Sequence, residues 1–147
     1  MAHLRKQLRD RAITDVTGLT TTGSNVYASR VYPMASGNLP GLCVYTREES
    51  IEVSTIVPPR TQMRELSLVI EGYAVSTTVL DDTLDQIALE VEEAMAGDIT
   101  WNNLAKTIRL QSVEADYSDE GERPAGMVRL TYVIEYAALE NDLENAA

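Results

Sequence analysis

The chain has no phenylalanine, one tryptophan, one histidine and one cysteine in 147 residues, and each scarcity removes a class of explanation. With His3 alone, at a terminus where solvent is expected around it, no Ser/His or Cys/His nucleophilic pair can be built within one chain from conventional parts. With Cys43 alone there is no internal disulfide framework, and a reducing cytoplasm is the weak implication. Inside LCVY that thiol reads as a small buried hydrophobe. No apolar run approaches the ~20 residues of a membrane helix, and the N-terminus lacks the apolar stretch of a signal peptide. The GxGxxG, GxxxxGK[ST] and HExxH patterns are missing. Asp81, Asp82 and Asp85 lack the glycine and terminal glutamate of a calcium loop, so capping of a helix is the simpler role. The expectation is a protein without cofactor, metal or catalytic residue.

Positive charge is scarce and unevenly placed. Residues 1–30 carry five Lys/Arg against two acids, and residues 31–147 carry seven against twenty-one, within a net charge of −11. Such a chain is a poor general binder of DNA, whose affinity for proteins is dominated by phosphate neutralisation, although it could line a passage through which DNA slides. Solubility is the simplest use of the acidity. The 44% hydrophobic content fits a folded globule with an aliphatic core. At this length a single domain over 1–147 should bury about 68–70% of its unfolded surface.

Periodicity orders the chain. Leu4, Leu8, Ala12 and Val16 recur every four residues in a helix over 3–17, with Gly18 as a stop. Arg5 and Arg9 fall beside that stripe, where their stems could cover a sheet edge or their charges could dock on an acidic neighbour. NVYASRVYP reads as a strand, MASGNLPG as a turn and LCVYT as a short buried strand. The stretch 47–64 predicts a hairpin with a mobile tip around PPRTQ, a common place for binding. RELSLVIEGYAV over 64–75 reads as a central strand, with apolar residues on both faces and Gly72 marking a bulge or a close contact. Leu84, Ile87, Ala88, Val91 and Met95 define a helix over 81–96, capped by Asp81 or Asp82 and ended by Gly97. Glu90, Glu92 and Glu93 cannot converge on a helix and read as a solvated face. Trp101 is expected to anchor the following loop.

The last third is a long antiparallel hairpin, with strands at 107–117 and 127–136 around an acidic turn. In the second strand Val128, Leu130, Tyr132, Ile134 and Tyr136 alternate strictly. In the first, the phase slips and places a bulge near Gln111–Ser112. Residues 139–147 read as a frayed tail. The fold class is therefore α+β, two main helices packed on a mostly antiparallel or mixed sheet.

Three stretches carry a resemblance: the first helix running through TGLTTTG into SRVYP, the strand entered by LPGLCVYT, and the closing hairpin, whose EGERPAG turn leads into an alternating strand ending in Tyr. In this layout the chain resembles the bacteriophage tail terminator family, the U-like minor tail proteins of long-tailed phages. The resemblance implies a small α+β subunit of the virion, assembled in the host bacterial cytoplasm, that forms a hexameric ring. Such a ring caps the tail tube, halts its polymerisation and presents a surface to the head-side connector, while DNA passes through the centre without sequence-specific binding. The implied partners are copies of the chain itself, the tube protein and the connector, with no membrane. Candidate ring contacts are Arg5, Arg9 and Arg30, whose basic segment could meet carboxylates of a neighbour. Candidate tube or connector contacts are Pro58, Pro59, Arg60 and Gln62 at the hairpin tip. Another head-side neck component, or a small ligand-binding α+β domain, are the alternative readings.

Overall fold

The computed structural model describes residues 2–28, 40–75, 80–101, 103–118 and 125–147. The chain runs α1 (Leu4–Val16), β1 (Val26–Tyr27), β2 (Gly41–Val53), β3 (Thr61–Val75), α2 (Leu80–Met95), β4 (Thr107–Ser118) and β5 (Ala125–Leu139). The strands form one five-stranded sheet in the order β1-β2-β3-β5-β4. β1 runs parallel to β2 and every other neighbouring pair is antiparallel. This is the expected α+β class, with β3 in the middle of the sheet and β4–β5 as the C-terminal hairpin. The acidic turn of that hairpin, at 119–124, lies outside the described residues. So do the MASGNLPG turn up to residue 39 and most of the strand expected after Tyr27.

Both helices lie on one face of the sheet. Leu4, Leu8, Ala12 and Val16 of α1, and Leu84, Ile87, Val91 and Met95 of α2, join a single core. The alternating side chains Leu66, Leu68 and Ile70 of β3 and Val128 to Tyr136 of β5 complete it. Period-two strands under period-3.6 helices produce this two-layer packing directly. On the opposite face of the sheet Cys43, Val69 and Val133 are buried, beside a Glu71–Arg129 ion pair of 2.9 Å.

Two strands are longer than the sequence implied. The short strand expected at LCVYT continues to Val53, and β3 begins at Thr61, so part of PPRTQ is strand. A register shift between Thr46 and Glu49 explains why β2 hid its length. Leu42 and Val44 face the helices, and one extra residue moves Glu49, Ile51 and Val53 onto that face in place of their neighbours, which breaks the alternation. A second shift, between Leu110 and Ser112 of β4, is the bulge expected near Gln111–Ser112.

The ends of the elements also differ from expectation in instructive ways. His3 is not merely solvated: its Nδ1 accepts the Arg5 amide at 3.0 Å and caps α1. Asp81 and Asp82 sit inside the first turn of α2 rather than ahead of it, where they still favour the positive end of the helix dipole. The tail expected to fray turns back onto α1. The Leu143 carbonyl accepts from the Leu4 amide at 2.8 Å, the Glu144 carbonyl accepts from Gln7 at 2.8 Å, and Leu143 packs on the core.

Gly72 proves to be a close contact and not a bulge, since β3 pairs with β5 without interruption through it. A Cβ there would lie 2.6 Å from Cγ2 of Ile87, so α2 crosses β3 at a distance only glycine allows. The Gly72→Ala chain is expected to lose about 1–3 kcal/mol, the usual cost of overpacking a core. Urea unfolding checks it, and an unchanged midpoint would mean that α2 shifts freely over the sheet.

Candidate functional site

The described residues hold no group of three or more His, Cys, Asp or Glu placed to bind a metal ion, and no helix is long and apolar enough to cross a membrane. The features that could act on another molecule are surfaces, and they are organised by one buried carboxylate.

Glu49 enters the helix-side face through the β2 bulge and meets three partners. Its Oε2 accepts from Nη1 of Arg5 at 2.9 Å, and its Oε1 from Nη1 of Arg64 at 3.1 Å. The Tyr136 hydroxyl donates to the same Oε1. Only 6% of the Glu49 side chain and 8% of the Arg64 side chain is exposed, so this pair is desolvated and each charge depends on the other. Gln62 Oε1 accepts from Nε and Nη2 of Arg64 at 3.2 and 2.6 Å and completes the guanidinium's bonding. Burial, followed by the bond to Glu49, pushes the Tyr136 phenol well above its ordinary range and keeps it a donor. The cluster thus joins the start of α1, the base of the β2–β3 hairpin and the end of β5.

Beyond this cluster the helices no longer cover the sheet. Ile51 and Val53 continue the core-facing row of β2 but are half exposed. The turn at 54–60 follows, and there Ile56 and Val57 are 93% and 76% exposed. Its base is braced: Ser54 N donates to the Thr61 carbonyl at 2.8 Å, Thr61 N to the Thr55 hydroxyl at 2.8 Å, and Glu140 N to the Arg60 carbonyl at 2.9 Å. A braced turn that presents two bare aliphatic side chains to water is expected at a contact surface.

Two open clefts lie elsewhere. One, of about 560 Å³, separates α1 from the loop after α2 and is lined by Gln7, Asp10, Arg11, Trp101 and Leu104. Trp101 anchors that loop as expected. Its Nε1 donates to Asp15 of α1 at 2.6 Å, and its backbone is held at φ 48° with its amide donating to the Asp98 carboxylate. The other cleft, of about 360 Å³, lies between the end of α2 and the β4–β5 edge, lined by Glu92, Met95, Ile99, Ile108, Leu110 and Tyr132.

Of the residues singled out from sequence, Arg5 is engaged with Glu49 yet keeps 45% of its side chain exposed. Arg9 buries its Nε without a hydrogen-bond partner among the described residues. Arg30 lies outside the described residues. Pro58, Pro59 and Arg60 sit on the exposed turn, and Arg60 pairs with Glu140 at 3.6 Å. Gln62 instead lies within β3 and serves Arg64. Glu90, expected on a solvated face, accepts from the Thr21 amide and hydroxyl at 2.9 and 2.5 Å. Burial works to raise its carboxyl, and these bonds with Gln86 outweigh it, leaving the pKa below the ordinary value. Sequence reading missed Glu49, Ile56 and Val57. The apolar pair was visible in STIVPP, but only the hairpin geometry exposes it.

Glu49→Gln should cost about 3–5 kcal/mol, because the buried Arg64 charge loses its partner. Tyr136→Phe should cost less, about 1–3 kcal/mol, since the carboxylate keeps both guanidiniums. Chemical denaturation of the two variants checks the order, and equal losses would contradict the geometry. The cap on α1 predicts a pH dependence. Burial, then the nearby Arg5 charge, lowers the His3 pKa from 6.5. The stabilisation is therefore complete above pH 6.5 and fades as pH falls through the lower folded value. His3→Asn, a cap that does not titrate in this range, should flatten that limb of the melting temperature against pH.

Among the described residues, the buried ion pairs Glu49–Arg64 and Glu71–Arg129 hold elements together, and the most exposed large side chains, Ile56 and Val57, are apolar. No curated protein matches the chain. The family described as phage minor tail protein U matches residues 3–136, from the capped start of α1 to Tyr136 of the Glu49 cluster. With nine-tenths of its length matched, the chain belongs to the phage minor tail protein U family.

Proposed function

We propose that the chain is a tail terminator, a structural protein that closes the end of a phage tail tube. In this reading identical copies form a ring, a hexamer, at the head-proximal end of the tail. The ring stops addition of tube subunits and offers its outer side to the head-side connector, and DNA passes through its centre. Membership of the minor tail protein U family over residues 3–136 carries the proposal.

The physical character of the surface supports a ring. A closed ring needs one face of a subunit to meet a different face of the next. The basic α1 segment and the acidic remainder are two such unlike faces. Arg9 is the best placed of the candidate ring contacts: its buried Nε has no hydrogen-bond partner among the described residues, and a neighbour's carboxylate could supply one. Arg5, half exposed above Glu49, and Arg30 are the other two. Six copies would carry about −66, a repulsion that apolar packing and local ion pairs must offset. The same negative field would keep DNA phosphates from adhering during passage.

Purified chain added to polymerising tube protein should arrest tube growth, with the ring mass visible by native mass spectrometry. Growth that continues past the normal length in its presence would sink the terminator reading. Charge reversal at Arg5, Arg9 and Arg30 together should weaken the ring and reduce its dependence on salt. A ring unchanged by that triple reversal would remove these arginines from the interface.

A further inference from the structure

The exposed hairpin turn and the cleft at the end of α2 are complementary, and they cannot meet within one chain. Leu68 pairs with Tyr132 and Thr61 with Leu139, so the hairpin end lies seven β5 residues, about 23 Å, along the sheet from the cleft. We propose that Ile56 and Val57 of one copy insert into the cleft of a second copy. The proposal rests on the ring reading above and names one of its interfaces.

Three observations carry it. The cleft is apolar where a side chain would enter, with Met95, Ile99, Ile108 and Leu110 along it, and Ile99 is 48% exposed. The turn offers the two most exposed large aliphatic side chains among the described residues. Second, charge matches across the contact: Arg60 stands three residues from Val57, while Glu92 and Glu93 line the cleft. The pair Arg60 makes at home, with Glu140, is long and half exposed, so it is easily exchanged. Third, Tyr132 lines the cleft, and its buried hydroxyl has no hydrogen-bond partner among the described residues. A backbone carbonyl of the incoming turn, which includes Pro58 and Pro59 and so has few amides of its own to bond, would accept from it. Knob and hole lie on different parts of the surface, which makes the contact heterologous and able to close into a ring.

The test is a disulfide between copies. Chains carrying Val57→Cys and Ile99→Cys are mixed, assembled with tube protein and oxidised; Cys43 is fully buried and stays out of the exchange. A peptide pair linking positions 57 and 99 is expected. Val57→Cys mixed with Val113→Cys, an exposed position on β4, should give none. Val57→Asp should lose the ring while the monomer keeps its melting temperature. Tyr132→Phe should raise the ring's dissociation constant by roughly 2- to 10-fold, one net hydrogen bond, and leave the monomer as stable or more so. A wild-type ring and arrested tubes with no 57–99 link overturn this interface and leave the terminator reading standing. Cross-linking of position 57 to tube or connector protein instead does the same and assigns the turn to that partner. Neither ring nor arrest overturns both.

Discussion

Glu49 is the residue on which the arrangement of the molecule turns. A carboxylate with 6% of its side chain exposed is tolerable only because Arg64, Arg5 and Tyr136 surround it. Those three come from β3, α1 and β5, so one desolvated charge fixes the hairpin base, the first helix and the last strand against each other. The β2 bulge is what turns Glu49 inward. Without the extra residue the acid would point to the opposite face, Arg64 would lack its counter-charge, and α1 would lose its ion pair to the sheet.

The cluster also marks a boundary. On one side two helices cover the sheet and bury core-facing side chains such as Leu42, Val44, Leu66, Leu68 and Ile134. On the other the strands run on uncovered, and apolar side chains reach water at Ile51, Val53, Ile56 and Val57. A monomer gains nothing from such exposure, whereas an assembly subunit gains a contact. The basic first segment and the acidic remainder add a second asymmetry. For a member of a phage minor tail protein family, exposed apolar side chains and segments of unlike charge form a coherent set.

Much of the fold was legible. Four-residue spacing gave α1, and i, i+3, i+4 spacing gave α2. Strict alternation from Val128 to Tyr136 gave β5, and the phase slip at Gln111–Ser112 gave the β4 bulge. Where reading stopped, the cause was physical. The β2 bulge replaces Glu48 by Glu49 on the core face, so the strand's second half has no readable alternation. The tail from Glu140 onward has few apolar residues, and what holds it is the packing of Leu143 and hydrogen bonds from Leu4 and Gln7 of α1 to its carbonyls, which no side-chain period announces. Arg5 and Arg9 could be placed beside the helix stripe, but their different states, Arg5 paired with Glu49 and Arg9 without a partner for Nε among the described residues, depend on distant neighbours.

By itself the sequence determined the element types, the α+β class and the aliphatic core, because these follow from local period and composition. Only the tertiary structure decided which charges are consumed inside and which side chains remain free. Burial of Glu49 beside Arg64, the close pass of α2 over Gly72 and the exposure of Ile56 and Val57 each depend on residues far apart in the chain. Their energies exist only once strands and helices have met, so they leave no local period to read.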